Sequence, residues 1–139
     1  MTYLYTLSQI NEAARWLLQQ IGSKRVICFR GEMGAGKTTL IQAICRQWGV
    51  VGSFGSPTFP IIHVYGMEKG DEVVYHMDFY RLGGPEEAER AGVAEALHSG
   101  ARCLVEWPDR VPEILPSEAV WVQIQVVDTD QRRLELLNK

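Results

Sequence analysis

An α/β fold with a mixed parallel and antiparallel sheet is predicted by three features of the sequence. An apolar run from Arg25 to Arg30 feeds directly into a glycine-rich stretch, Gly31 to Gly36, and then into a segment with helical periodicity, giving strand, loop and helix in succession. Two β-prone runs, FPIIHVY and EVVYHMD, flank a turn rich in glycine and charge between Phe59 and Asp78, which reads as an antiparallel hairpin. The last segment alternates from Val120 to Val127, turns through Asp128-Thr129-Asp130 and resumes at Leu134. Crossover and hairpin connections therefore interleave, as a mixed sheet requires.

Each element follows from local pattern. Tyr3 to Leu7 is a short strand-prone run. Ser8 then offers an N-cap to a helix in which Ile10, Ala13, Ala14, Leu17, Leu18 and Ile21 share one face, and Gly22 ends it. After the glycine-rich stretch, Leu40, Ile41, Ile44, Cys45 and Trp48 mark a second helical face, stopped by Gly49. Pro85 with Glu86 and Glu87 has the composition of a helix first turn, and Gly92 and Gly100 bracket a further helical piece from Val93 to Ser99. Cys103-Leu104-Val105 is a short strand closing on Glu106.

A chain of 139 residues is expected to form one domain, residues 1–139, with room for one site. The 46% hydrophobic and 22% charged composition excludes disordered, collagenous and disulfide-scaffold classes. A net charge of -3 lacks the basic excess of a protein that holds nucleic acid by phosphate neutralisation. Cys28, Cys45 and Cys103 are odd in number, widely spaced and set in apolar stretches, as reduced buried thiols would be. No apolar run approaches the ~20 residues of a membrane span, and the expected location is cytoplasmic, without a membrane anchor.

The chemistry concentrates in Gly31-Glu32-Met33-Gly34-Ala35-Gly36-Lys37-Thr38, which satisfies G-x-x-x-x-G-K-[ST] between a strand and a helix. Such glycines let successive backbone N–H groups turn inward onto an anion, the helix N-terminus adds partial positive charge, and Lys37 reaches the β- and γ-phosphates. Thr38 would place its hydroxyl on Mg²⁺. A plain helix cap needs only its N-cap residue, whereas here three glycines, the lysine and the hydroxyl fall in register. The fold class sharpens accordingly to a three-layer, P-loop NTPase-like arrangement. Guanine-specific proteins usually carry an N-K-x-D segment, and the sole Asn-Lys pair here is Asn138-Lys139, so ATP is the expected nucleotide.

A P-loop hydrolase also needs a carboxylate at a strand end for the metal and a group that orients water. Asp78 ends one strand and Glu106 another, at the sheet edge where phosphate sites lie in α/β folds, and the pattern alone does not rank them. Ser56-Pro57-Thr58-Phe59 stands where nucleotide switches carry a γ-phosphate-sensing loop, although Ser-Pro also suits a plain turn. His76, mid-strand, reads as a packed or hydrogen-bonded side chain rather than a catalytic base.

With the loop extended to Thr39, and with Ser56-Pro57-Thr58-Phe59, His76-Met77-Asp78-Phe79-Tyr80-Arg81 and Glu106-Trp107-Pro108, the chain resembles the bacterial TsaE (YjeE) family in motif order and spacing. The resemblance implies a Mg²⁺-dependent P-loop ATPase, weak alone and activated by partners. It would assist the TsaD and TsaB proteins in forming threonylcarbamoyladenosine at position 37 of tRNA, with tRNA reached indirectly through that complex and direct contact left open. It implies Thr38 and Glu106 as Mg²⁺ ligands, Lys37, Asp78 and Glu106 as the catalytic set, and Trp107 beside the site. Nucleotide contacts fall on Glu32, Met33, Gly34, Ala35, Gly36, Lys37, Thr38 and Thr39, and also on Gln9 and Arg132, with Ser8 and Arg133 as competitors for the last two. Two other functions fit the same loop: a small-molecule or nucleotide kinase, for which Arg81 to Ala101 is the available lid, and a non-catalytic ATP-gated binding module.

Overall fold

The computed structural model describes residues 1–52 and 61–137. In chain order the elements are β1 (Thr2–Thr6), α1 (Ile10–Ile21), β2 (Val26–Arg30), α2 (Lys37–Trp48), β3 (Val50–Val51), β4 (Ile62–Met67), β5 (Val73–Asp78), α3 (Pro85–Arg90), α4 (Val93–Leu97), β6 (Arg102–Glu106), β7 (Val120–Val126) and β8 (Gln131–Leu137). Single 3-10 turns occupy Leu7–Gln9, Pro108–Arg110 and Pro112–Ile114. The described strands form one sheet in the order β1-β8-β7-β2-β6-β5-β4-β3. Its centre, β7-β2-β6-β5, is parallel, and antiparallel strands extend it on both sides. The expected mixed sheet is therefore present, with the parallel part in the middle.

Alternation along the strands divides the core in two. Ile27, Phe29, Leu104, Val122 and Ile124 point to one face and pack against Ala13, Leu17, Leu40 and Ile44 of α1 and α2. Cys28, Met77, Val105 and Trp121 point to the other and meet Ala88, Val93, Ala96 and Leu97 of α3 and α4. Three layers result, and the all-apolar run of β2 is explained by its burial on both faces. All three cysteines are buried free thiols, as their apolar settings predict. Among the described residues no helix is long and apolar enough to cross a membrane.

Three boundaries differ from expectation. The first helix begins at Ile10 rather than beside Ser8, because Thr6 and Gln9 already form a capping box around the Leu7–Gln9 turn. Gln9 Oε1 accepts the Thr6 N–H at 2.9 Å, and the Ser8 hydroxyl lies 3.0 Å from that of Thr6. The piece from Val93 stops at Leu97, since the Ser99 hydroxyl donates to the Ala96 carbonyl at 2.7 Å and closes the end. Finally β3 adds a two-residue strand beside β4 that no alternation could announce.

Parallel alignment of the central strands puts their C-terminal ends on one edge. There β2 runs into the glycine-rich loop, β5 ends on Asp78 and β6 ends on Glu106, with Asp78 and Glu106 in register.

Candidate functional site

Glycine is required in the 31–36 loop for two separate reasons. Gly34 and Gly36 hold φ of 82° and 103°, a region that side chains oppose. Gly31 is tight instead: a Cβ there would stand 3.1 Å from the Ile124 carbonyl oxygen on β7. The loop is pinned from inside by the Ala35 N–H donating to the Glu32 carbonyl at 3.0 Å and from below by Arg132, whose Nε donates to the Ala35 carbonyl at 2.9 Å. Helix α2 starts at Lys37, so its first-turn N–H groups and positive dipole end face the loop.

Lys37 is buried. Its ammonium donates to the Gly31 carbonyl and, at 3.4 Å, to that of Glu32, and it stands 3.9 Å from the centre of the Trp107 ring. Burial pulls its pKa below the usual lysine value, while Glu106, Asp78 and Glu32 oppose that shift. Trp107 is the one non-glycine residue with positive φ among those described, at 57°. It is held there by Tyr80, whose ring centre is 5.0 Å away, and the following turn is tied to β2 by a bidentate Arg30–Asp109 pair at 2.9 and 2.7 Å. Sequence patterning gave no sign of that pair.

Opposite Lys37 stand the acids. Glu106 is buried, and the Thr38 hydroxyl lies 3.3 Å from its Oε1 and 3.4 Å from its Oε2. Asp78 is half-buried; burial raises its pKa, offset in part by the Tyr80 N–H donating to Oδ1 at 2.9 Å. These groups bound a cavity of about 490 Å³ lined by the loop from Met33 to Thr39 together with Ile61, Asp78, Tyr80, Arg81, Glu106 and Trp107. Its size suits a small-molecule ligand. The oxygen donors are hard, and among the described residues no cluster of three or more His, Cys, Asp or Glu forms a cage. Such a set fits Mg²⁺, which keeps its waters and takes one or two protein ligands plus phosphate.

The structure thus brings Lys37, Thr38, Thr39, Asp78 and Glu106 to one cavity, with Met33 and Thr39 at its exposed edge. Glu32, Gln9 and Arg132 lie outside the lining: Glu32 is exposed on the loop, Gln9 caps the first turn, and Arg132 is buried beneath the loop, its Nη1 donating to the Asp128 and Gln131 carbonyls. Arg133 is exposed and contacts Gln125 at 3.5 Å. Ser56-Pro57-Thr58-Phe59 falls outside the described residues. Sequence reading missed Tyr65, which reaches the site through His76.

A family model described as threonylcarbamoyl adenosine biosynthesis protein TsaE matches residues 4–134. The chain belongs to the TsaE family. Several proteins described as tRNA threonylcarbamoyladenosine biosynthesis protein TsaE are similar to it. That of Haemophilus influenzae is 35% identical over 112 residues, 81% of this chain and 69% of that protein. That of Bacillus subtilis is 37% identical over 109 residues, 78% and 66% of the two chains, so the match spans about two thirds of these two relatives. The Rickettsia bellii protein is 30% identical over 139 residues, 99% and 94% of the two chains. The crystal structure of Bacillus subtilis YdiB shares the fold at a TM-score of 0.75 and 27% identity, covering 98% of this chain and 83% of that one. The α/β, P-loop NTPase-like class predicted for this TsaE chain is the class observed.

Proposed function

We propose that this TsaE protein binds ATP with Mg²⁺ on the 31–38 loop and hydrolyses it to serve threonylcarbamoyladenosine formation on tRNA, acting with TsaD and TsaB in the cytoplasm as one domain. The observation that carries this reading is the convergence of Lys37, Thr38, Asp78 and Glu106 on the cavity at the mouth of the loop. The loop's N–H groups and the α2 N-terminus would receive the phosphates, and Lys37 would exchange its carbonyl partners for phosphate oxygens. Thr38 and Glu106 would hold the metal, which when bound neutralises charge on the β- and γ-phosphates. Asp78, with a pKa raised by burial, would orient a water or support the metal from the adjacent strand. Gln9 and Arg132 would act on the nucleotide through the fold, by capping the first turn and bracing Ala35.

The kinase alternative needs a mobile lid. Residues 82–97 contribute Leu82, Ala88, Val93, Ala96 and Leu97 to the second core, which argues against that use. Among the described residues no segment closes over the cavity, which favours a partner that closes over the γ-phosphate and supports activation by TsaD and TsaB. The test is an ATP titration and a phosphate-release assay on wild type and Lys37→Ala, with and without both partners. Loss of binding in the variant and faster release with partners are expected; unchanged ATP affinity on losing Lys37 would falsify the P-loop assignment.

A further inference from the structure

Behind the cavity, a polar chain runs through an otherwise apolar layer. Tyr65 on β4, His76 on β5 and Glu106 on β6 all point to the face covered by α1 and α2, beside Val74 and Leu104, and all are buried, at 5%, 1% and 3% exposure. The Tyr65 hydroxyl lies 2.9 Å from His76 Nδ1, and His76 Nε2 lies 2.7 Å from Glu106 Oε2. Chemistry sets the direction. A carboxylate only accepts, so Nε2 carries the proton; in a neutral imidazole Nδ1 then accepts, and the Tyr65 O–H donates to it. With Oε2 tied to His76, the carboxylate cannot rotate freely, and Oε1 sits 3.3 Å from the Thr38 hydroxyl.

We propose that Tyr65 and His76 are positioning residues for Glu106: Tyr65, donating to Nδ1, holds the imidazole in place, His76 in turn holds the carboxylate beside Thr38, and this orientation sets how strongly Mg²⁺ supports nucleotide binding. The proposal rests on the nucleotide-site reading above. It assigns His76 a function that simple core packing does not. An aliphatic pair of similar volume would fill the space of Tyr65 and His76 without burying two further polar groups beside Glu106. Groups that orient a ligating carboxylate from behind typically change metal affinity by about 10–100-fold when removed.

The experiment uses the full chain in two measurements. Two-bond proton–nitrogen NMR on histidine-labelled protein reads the tautomer of His76, assigned by the signal lost in His76→Gln. ADP titrations across a Mg²⁺ series read the metal concentration for half-maximal effect, beside ADP affinity without metal. Wild type is expected to show the Nε2–H tautomer. Tyr65→Phe, which removes one oxygen, should keep the Nε2–H tautomer, move the Nδ1 resonance as that nitrogen loses its donor, and raise the Mg²⁺ requirement about tenfold. His76→Leu should raise the Mg²⁺ requirement as much or more, and His76→Gln, which returns an N–H donor near the Nε2 position, should recover most of the loss. Metal-free ADP affinity should be unchanged throughout.

An unmoved Nδ1 resonance and normal Mg²⁺ requirement in Tyr65→Phe, or equal loss in the Leu and Gln variants, would overturn the relay while leaving the nucleotide site intact. Wild-type protein whose ADP affinity ignores Mg²⁺ would overturn the functional reading itself and the proposal with it. Should His76→Leu fail to fold, the Tyr65→Phe arm decides alone.

Discussion

The two acids occupy equivalent strand ends but different environments, and that difference separates the effects expected of replacing them. Glu106 is buried within 3.4 Å of the Thr38 hydroxyl, whereas half-buried Asp78 is engaged by a backbone N–H of its own turn. Glu106→Gln keeps the shape and removes the charge. It is therefore expected to leave nucleotide bound while Mg²⁺-dependent phosphate release falls at least tenfold, about 1.4 kcal/mol or more in the barrier. Asp78→Asn should reduce release with little change in the Mg²⁺ requirement for ADP binding. Normal release from both variants would make the acids structural. At this scale the sequence displayed Lys37, Thr38, Asp78 and Glu106 because motif and strand end are local patterns. Tyr65 was invisible, since its contact with His76 crosses two strands and depends on the register that pairs His63 with His76.

The glycine-rich loop shows how an element can be fully written in local sequence while its neighbours are not. Gly36 adopts φ 103° with nothing within 4 Å of a notional Cβ, so Gly36→Ala meets no clash and its penalty is conformational. A loss of roughly 1 kcal/mol or more in urea unfolding is expected from that backbone preference, together with a far larger fractional loss of ATP affinity as the N–H groups turn away. Equal effects on stability and affinity would mean that the loop is only a turn. The start of α1 was harder to read, because Thr6 and Ser8 are both plausible caps and only the capping-box partner Gln9 decides between them. The turn after β6 was harder still: Trp107 holds φ 57° through contacts with Tyr80 and Lys37 that come from distant parts of the chain.

Across the whole molecule, the three-layer fold was legible because each layer has its own period, helical in α1 and α2 and alternating in the outer strands. The strand order was not, since a short run such as β6 pairs by burial rather than by any signal it carries. Burial also leaves a measurable charge signature. Cys28, Cys45 and Cys103 have pKa values raised to about 12 from 9.0, and Tyr5 to about 12 from 10.0, in every case chiefly by desolvation. Between pH 9 and 12 the unfolded chain releases these protons and the folded protein retains them, so the unfolded state binds fewer protons and stability must fall as pH rises. Each fully engaged group contributes a slope of up to about 1.4 kcal/mol per pH unit. Urea unfolding under reducing conditions should therefore show stability nearly level from pH 7 to 8.5 and declining steeply by pH 10.5. Replacing all three cysteines by alanine should lower stability at pH 7 through lost packing, yet flatten the alkaline decline. A wild-type profile that stays level to pH 10.5, or an equally steep decline without the cysteines, would show that buried thiols do not govern alkaline unfolding of this fold.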